Sequence, residues 1–242
     1  MCIRDRLIAL NEKRERISVL NDYDAYLQKL EQQLAKKEKE LAQISDEVSE
    51  IRQKSAVKLV SEIKSALNDL NFLDVQFDMQ FDRLPDYTAN GIDAPEFLIS
   101  TNPGEPLKPL GKVASGGELS RIMLGIKTIM AENDHIESLI FDEIDSGISG
   151  RTAQMVSEKM NELGRNHQII CITHLPQIAA MADAHFLIEK AVENKSTVSR
   201  IRRLTDNDSV AELARMLGGA KITDTVMESA REMKALAMEK KI

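Results

Sequence analysis

The feature that most constrains this fold is a long stretch, residues 7–70, that contains no proline and no glycine. Apolar residues recur in it at every seventh position, and a second apolar set follows three positions later with one polar interruption. The first set is Leu20, Leu27, Leu34, Leu41 and Val48, and the second is Tyr23, Leu30, Ile44 and Ile51, interrupted by Lys37. Two apolar positions per heptad are the pattern of a coiled coil. The sequence therefore predicts a helical arm that pairs through this seam.

The arm is expected to reverse its direction near its beginning. Asn21 and Asp22 resemble the N-cap of a new helix. We therefore expect residues 7–20 to end an outgoing helix, followed by a tip near residues 17–22 and a long returning helix. Together these make an antiparallel coiled coil. Residues 1–6 join none of these patterns and are expected to be a spurious or disordered leader.

The composition indicates a cytoplasmic protein. Hydrophobic residues make up 43% of the 242-residue chain and charged residues 29%. No apolar run approaches the ~20 residues that span a bilayer, and there is no secretory signal. Cys2 and Cys171 do not suggest a disulfide framework. The net charge of −7 gives no global electrostatic case for nucleic-acid binding.

After the arm, the apolar period changes from helical to two. Alternation over residues 73–81 predicts a half-buried strand, with an antiparallel partner at residues 96–100. Pro85-Asp86 and Asn90-Gly91 predict turns between them. Further along, short apolar runs alternate with helical patterns, which is typical of a sheet covered by helices. Residues 71–242 are therefore expected to form an α/β lobe.

The stretch from Val113 to Arg121, Val-Ala-Ser-Gly-Gly-Glu-Leu-Ser-Arg, is typical of a loop that begins a helix. Ser115 can cap the helix while Glu118 reaches back to the Ser115 amide, which is a capping box. Gly116 and Gly117 carry no Cβ, so another group can approach the backbone closely. A glycine-lined helix N-terminus also favours anions. Taken alone, this tetrapeptide is more often an ordinary capped helix.

Two apolar runs, expected to be buried strands, end in polar residues. Asp142 and Glu143 follow residues 139–141, and His174 comes at the end of the run at residues 169–173. Parallel strands bring their C-terminal ends to one edge of a sheet. Beside a helix N-terminus, such an edge forms a phosphate and metal site.

In order and spacing, Ser-Gly-Gly-Glu at 115–118, Phe-Asp-Glu at 141–143 and His174 resemble the signature motif, the Walker B motif and the switch histidine of the ATP-binding cassette ATPases. A coiled coil ahead of the signature resembles the chromosome-maintenance and repair members of that family. Longer segments continue the likeness: residues 97–110, 141–150, 173–177 and 214–219. The resemblance implies the C-terminal lobe of a cassette ATPase head with a P-loop NTPase-like sheet. It also implies use of ATP and Mg²⁺ in DNA double-strand break repair and recombination, in association with the nucleoid.

The resemblance assigns a role to each motif residue. Asp142 would hold Mg²⁺ through water, Glu143 would act as general base on the attacking water, and His174 would bind the γ-phosphate. Residues 115–118, which are Ser115, Gly116, Gly117 and Glu118, would bind ATP that a second head holds.

A loop after Walker B contributes to contacts between heads in this family. Asp145 and Ser146 are the candidates in this chain. Ser149 stands where the loop usually carries aspartate, so the role of that aspartate does not carry over directly. Asp145 is a weaker candidate for it.

The sequence contains no G-x-x-x-x-G-K-[ST] motif, so it lacks the loop and lysine that grip the β- and γ-phosphates. We therefore expect this chain alone to be inactive as an ATPase. Its expected partners are its own N-terminal Walker A lobe, a second head through homodimerisation, and DNA, with no membrane contact.

Two alternatives stay open. Another chromosome-maintenance ATPase would differ by a much longer coiled coil. A non-catalytic coiled-coil dimeriser would carry the Asp-Glu pair and the histidine incidentally. Arg200, Arg202 and Arg203 form a tight basic cluster, and a solvated strand face explains them better than DNA contact does.

Overall fold

The computed structural model describes residues 3–72, 74–113, 115–131, 136–193, 196–219 and 221–241. The helices in it are α1 (Ile3–Asn21), α2 (Tyr23–Asp69), α3 (Gly116–Met130), α4 (Gly150–Leu163), α5 (Pro176–Ala180), α6 (Asp206–Gly218) and α7 (Asp224–Glu239), with a 3₁₀ turn at Leu110–Lys112. The strands are β1 (Gln76–Thr88), β2 (Gly91–Ser100), β3 (Lys108–Pro109), β4 (Ser138–Phe141), β5 (Gln168–Cys171), β6 (Phe186–Glu193) and β7 (Ser196–Arg203). This mixture confirms the predicted α/β class.

The arm is helical, but the chain does not reverse where the sequence predicted a tip. Asp22 alone separates α1 from α2; its amide donates to the Ser18 carbonyl at 3.1 Å, and its carbonyl accepts from the Tyr26 amide at 2.9 Å. Both bonds join residues four apart, as in a continuing α-helix. An antiparallel helix pair needs a loop of about 2–5 residues instead. Of the expected leader, residues 3–6 are helical and the other two lie outside the described residues.

The apolar seam of α2 faces solvent. Leu34 is 59% exposed, Ile44 59% and Ile51 64%. An exposed stripe of this kind contributes little to stability unless another helix covers it, so the partner of the arm stays a prediction. Within the described ranges, no helix is both long and apolar enough to cross a membrane.

The chain divides into two compact units. Unit 1 comprises Met1–Ala56 with Phe81–Ala94, and unit 2 comprises Val57–Gln80 with Pro95–Ile242. This division differs from the expected boundary between arm and lobe. The end of the β1–β2 hairpin is grouped with the arm, and the last turns of α2 are grouped with the lobe.

In unit 1, polar contacts hold the end of the hairpin on α2. Asp93 accepts hydrogen bonds from Ser49 Oγ at 2.7 Å and from Arg52 Nη1 at 2.9 Å, and its side chain is only 5% exposed. The Ser49 hydroxyl, and after it the Arg52 guanidinium, hold the pKa of Asp93 below its usual value although burial opposes this. A two-stranded ribbon is marginally stable alone, so these contacts stabilise the hairpin.

β1 passes through Pro85, where the sequence predicted a turn, so that prediction was wrong. The sheet order β1-β2-β3 places β1 at an edge, and an edge strand tolerates proline because the missing amide has no neighbour to bond. The second predicted turn is confirmed. It precedes Gly91, whose φ of 96° favours glycine.

In unit 2, the end of α2 shares one core with α3, α4 and the first strands. Fully buried members of this core include Ile63, Leu67, Ile122 and Val156. Gly125 lets α3 approach α2 closely, because a Cβ there would stand 3.1 Å from Leu67 Cδ2. A second cluster joins α5, α6 and α7 through small side chains, among them Ala180, Ala214 and Ala230. The first core holds the strand ends that carry the predicted motifs.

Asp93→Asn should lower the thermal midpoint at pH 7, measured by circular dichroism. Because the folded-state pKa of Asp93 is lowered, its ionised form stabilises the fold above about pH 4, the ordinary aspartate pKa. That contribution is lost as pH falls through the folded-state value. The difference from wild type should therefore be largest near pH 7 and shrink towards pH 3. Asp86→Asn, on the exposed side of the hairpin, is the control; the same pH-dependent difference in it would contradict the assignment.

Candidate functional site

The parallel pair β4–β5 brings the predicted motif residues to one edge. Phe141 pairs with Cys171, so the two strands end side by side. The loops that follow them line a cleft of about 540 Å³. Its lining residues are Asp142, Glu143, Asp145, Ser146, Gly147, Ile172, Thr173 and His174. The acidic pair and the histidine, distant in sequence, therefore share one cleft.

Asp142 is exposed, which differs from the buried strand end that the sequence suggested. Its Oδ1 accepts a hydrogen bond from the Glu143 amide at 2.9 Å, which orients the carboxylate on its own loop. Among the described residues, no three or more Asp, Glu, His or Cys side chains gather as a metal cage. Nucleotide-bound Mg²⁺ needs only one or two carboxylates, completed by phosphate and water oxygens. The Asp142 carboxylate fits Mg²⁺ in that manner.

The thiol of Cys171 reflects the charge of this cleft. Burial, together with the nearby carboxylates of Asp145 and Asp142, raises the pKa of the thiol to about 12. The thiol is therefore protonated and unreactive near neutral pH. The negative field around it is one that a bound cation would offset.

Glu143, the predicted general base, has a left-handed backbone with φ of 55°. This conformation is uncommon outside glycine, and such strain often accompanies functional positions. Its side chain is exposed and lies against the start of α3, since a Cβ on Gly116 would stand 2.8 Å from Glu143 Oε2. The predicted base is thus beside the signature-like glycine of its own chain.

Ser115 caps α3 as predicted. Its Oγ accepts from the Glu118 amide at 3.4 Å, and of the two bonds of the predicted capping box the structure shows this one. Ser115 and Gly116 are exposed, whereas Gly117 is buried. The helix start therefore presents the first two of these residues to solvent and the third to the protein interior.

The buried side of this helix start packs on the loop after β4. A Cβ on Gly117 would stand 2.8 Å from Ser146 Cβ and 3.0 Å from the carbonyl oxygens of Glu143 and Ser146. No residue with a side chain fits there without a shift of that loop. Ser120 Oγ adds a hydrogen bond to the Asp142 carbonyl at 3.0 Å. The signature-like and Walker B-like segments are therefore in direct contact within one chain.

Arg121 is a structural residue that the motif reasoning missed. It is 8% exposed, and its Nη1 donates to the carbonyls of Ile144 at 3.3 Å and Ser146 at 2.9 Å. Its guanidinium carbon lies 5.5 Å from the ring centroid of Phe72, within cation–π distance. Burial lowers the pKa of Arg121, although the Glu118 charge opposes this. The available signal was its position one turn after Gly117, on the buried side of the helix.

Asp145 is 4% exposed, which is not the surface position that a contact between heads requires. Its Oδ2 accepts from Thr173 Oγ1 at 2.6 Å and from the His174 amide at 2.8 Å. The same oxygen lies 3.0 Å from His174 Nδ1. The carboxylate is thus engaged within its own chain, which disfavours a contact with another head; the inter-head role predicted for Asp145 stays a prediction. Ser146 is exposed, and its part in that role stays a prediction.

The basic cluster on β7 does not occupy a single face. Successive residues of a strand point to opposite faces, so Arg203 lies on the other face from Arg200 and Arg202. Across the β6–β7 pair, Arg200 lies opposite Glu189, Arg202 opposite Leu187 and Arg203 opposite Phe186. The structure therefore provides no single arginine surface at this hairpin.

Over most of its length, the chain is similar to the DNA repair protein RecN. It is 40% identical to RecN of Bacillus subtilis (strain 168) over 246 residues, covering 96% of this chain and 43% of that protein. It is 40% identical to RecN of Halalkalibacterium halodurans over 227 residues, covering 92% of this chain and 40% of that protein. The chain thus spans less than half the length of these relatives. No family model matches the sequence.

The fold is similar to that of a solved Smc head domain with a coiled coil and joint, derived from Pyrococcus yayanosii. The TM-score is 0.50 at 18% sequence identity, over 87% of this chain and 36% of that chain. At this identity the likeness concerns the fold alone. It confirms the predicted fold, an α/β head lobe that carries a long helical arm.

Gly117→Ala should destabilise the protein, whereas Gly116→Ala should have little effect. The added methyl at Gly117 meets a Cβ and two backbone oxygens, while at Gly116 it meets the flexible end of Glu143. Overpacking of the first kind costs about 1–3 kcal/mol, which should lower the thermal midpoint by about 2–10 °C. Equal midpoints for the two variants would show that α3 and the loop do not pack as described.

Proposed function

This chain is a RecN-like sequence that corresponds to the C-terminal part of that DNA repair protein, and from this premise we propose that it supplies half of an ATPase head in DNA double-strand break repair and recombination. The other half would come from the part of the protein that this chain does not span. The head would work in the cytoplasm, in association with the nucleoid.

One observation carries the proposal. The loop after β4 contacts the start of α3 on one side, through Gly117, and the loop after β5 on the other, through Asp145. The signature-like, Walker B-like and switch-like segments therefore form one connected site beside a cleft. A dimeriser with incidental acidic residues would need no such connection.

Three side chains of the cleft have a task in the proposal. The Asp142 carboxylate would hold Mg²⁺ beside the nucleotide phosphates. Glu143 accepts a proton from the attacking water as general base. His174 contacts the γ-phosphate and responds to its loss. Bound Mg²⁺ would supply charge neutralisation on the phosphate oxygens.

The first proposed partner is the protein's own Walker A lobe. The chain has no phosphate-gripping loop of its own, so by itself it should bind MgATP poorly and hydrolyse none. The outer face of the β4–β5 pair is apolar and open, with Ile140 69%, Ile170 46% and Ile172 50% exposed. Parallel sheets are normally covered on both faces, which supports a lobe that packs there.

The second proposed partner is another head. Ser115 and Gly116 are exposed at the N-terminus of a 15-residue helix, where free amides and the helix dipole favour an anion. In the proposal, these groups and Glu118 close on ATP that the other head holds. Gly117 is buried against the loop after β4 of its own chain, so the contact predicted between Gly117 and the nucleotide stays a prediction. DNA is the proposed partner of the whole assembly.

The exposed seam of α2 favours one alternative, a purely structural coiled-coil dimeriser. Its Leu34 and Ile51 need a covering helix, and that helix could belong to a second chain. The other alternative, a different chromosome-maintenance ATPase, is disfavoured by the 40% identity to RecN over most of the chain. A structural dimeriser needs no hydrolysis at Glu143, so turnover measurements separate it from the proposal.

In a protein of full RecN length, Glu143→Gln should keep ATP binding and slow turnover by at least ~10²-fold, the scale of a lost general base. Asp142→Asn is the matched variant and should weaken Mg²⁺-dependent nucleotide binding instead. Calorimetry measures the binding and phosphate release measures the turnover. Unchanged turnover in Glu143→Gln would remove the general-base role.

A mixing experiment tests whether the site is shared. In full-length protein, Ser115→Arg places a bulky side chain where a second head's γ-phosphate should dock, so it should abolish hydrolysis and spare ATP binding. A variant without the Walker A lysine should also be inactive. A mixed pair would hold one site with both defects and one intact site, so mixing should restore phosphate release. The contradicting outcome is a mixture that stays inactive although mixed pairs form and one intact site is sufficient for turnover. In that case the signature does not act on the neighbouring head.

A further inference from the structure

A single buried oxygen organises the end of the β5 loop. Asp145 Oδ2 is approached by three polar groups, Thr173 Oγ1 at 2.6 Å, the His174 amide at 2.8 Å and His174 Nδ1 at 3.0 Å. The Thr173 hydroxyl accepts a hydrogen bond from the Leu175 amide at 3.0 Å, so its own hydrogen is free to point at Asp145. The hydroxyl and the amide both donate. The carboxylate oxygen therefore acts as an acceptor.

An acceptor in this position determines where the proton of the histidine ring must be. Nδ1 can contact the Asp145 oxygen favourably only if it carries hydrogen. In a histidine, the hydrogen bond made by one ring nitrogen sets the state of the other. Nε2, at the far side of the ring, then carries no hydrogen in the neutral form. The His174 side chain is 73% exposed and lines the cleft, so Nε2 is available to what binds there.

We propose that Asp145 is the positioning residue of His174: it holds the ring in the Nδ1–H tautomer and turns Nε2 towards the cleft. This inference rests on the proposed function for its purpose, since a nucleotide in the cleft is what Nε2 would meet. Through its lone pair, Nε2 can accept a hydrogen bond from water. With a second proton, it can donate to a phosphate oxygen. Asp145 contacts neither the water nor the phosphate in this proposal and acts only through the histidine.

The same contacts explain why the carboxylate is buried although it carries charge. A buried carboxylate is costly unless donors satisfy it. The Asp145 oxygen accepts hydrogen bonds from the Thr173 hydroxyl and the His174 amide, and His174 Nδ1 lies 3.0 Å from it. Two of these three neighbouring groups belong to His174. Asp145 itself belongs to the loop after β4, which also carries Asp142 and Glu143. The contact with Asp145 therefore fixes the ring relative to these two residues. The position of the histidine is thus coupled to the predicted metal ligand and base.

The tautomer can be measured directly in this 242-residue chain by long-range ¹H–¹⁵N correlation of the ring nitrogens at a pH where the ring is neutral. Wild type should show the Nδ1–H form of His174 in excess by about tenfold, the scale of a charge-assisted hydrogen bond. Asp145→Ala should remove this excess and leave a mixture of tautomers. Asp145→Asn, which keeps a carbonyl acceptor of the same shape, should retain part of it.

Thr173→Val is the matched control. It removes the hydroxyl that donates to the same oxygen and accepts from the Leu175 amide, and it leaves both His174 contacts in place. It should therefore lower stability without changing the tautomer ratio. A ratio that changes equally in Thr173→Val and Asp145→Ala would indicate a loop that is merely loosened, and would overturn the proposal. An excess of the Nε2–H form in wild type would overturn it as well, and this outcome does not depend on whether any variant folds.

The failure of this proposal can be told apart from failure of the proposed function. In a protein of full RecN length, Asp145→Asn should lower kcat for ATP hydrolysis more than it raises KM, because the ring is mispositioned while the phosphate-gripping lobe is intact. If the wild-type protein hydrolyses no ATP but His174 shows the Nδ1–H form, the proposed function fails and the positioning role stands. If hydrolysis is normal in Asp145→Ala, the positioning role fails alone.

Discussion

The close packing of α3 on the loop after β4 is the constraint on which the rest of the site depends. Gly117 admits the loop to a distance that leaves no room for a Cβ, with Ser146 Cβ and two carbonyl oxygens at 2.8–3.0 Å from that position. The helix then contributes Ser120 and Arg121 as donors to the loop carbonyls. Backbone groups that would be unsatisfied in a tight turn are thus paired by one helix face.

Two buried charges lie on either side of this loop. Arg121 donates to its carbonyls from the α3 side, and the loop's own Asp145 carboxylate accepts from Thr173 and His174 on the β5 side. Each charge is tolerated because hydrogen bonds compensate for the lost water. A displacement of the loop would break both sets of bonds. The three motif segments are therefore expected to move together, which is what a site that responds to a nucleotide requires.

Two apolar surfaces of the chain are not covered by other parts of it that the structure describes. The outer face of β4–β5 and the seam of α2 are apolar and open to solvent. Both are continuous features of regular elements, and burial of apolar area is the dominant favourable term in folding and association. The part of the protein that this chain does not span, together with a second copy, would cover them in the proposed assembly. The connected site is complete on its own side and open where those partners are expected.

Spacing along the chain was sufficient to predict the helical arm, the alternating strand and the order of the three motifs, because periodicity and motif spacing are local properties. Spacing also placed Asp142, Glu143 and His174 at one sheet edge, since parallel strands end together. The prediction of a chain reversal near Asp22 was wrong, because an N-cap pattern indicates where a helix can start and not whether the chain turns back. The expectation that Asp142 ends a buried strand was wrong, because its side chain is exposed.

The sequence is therefore sufficient to predict which chemical groups are present and which elements carry them. Which of those groups are buried, and what they contact, follows from the way the elements pack. Glu143 has a positive φ, which no period predicts, and the path of the loop beyond it leaves Asp142 exposed and Asp145 enclosed. Arg121 becomes a structural residue for the same reason. Its partners are carbonyl oxygens of a loop more than twenty residues away, and contacts of that kind exist only once the chain has folded.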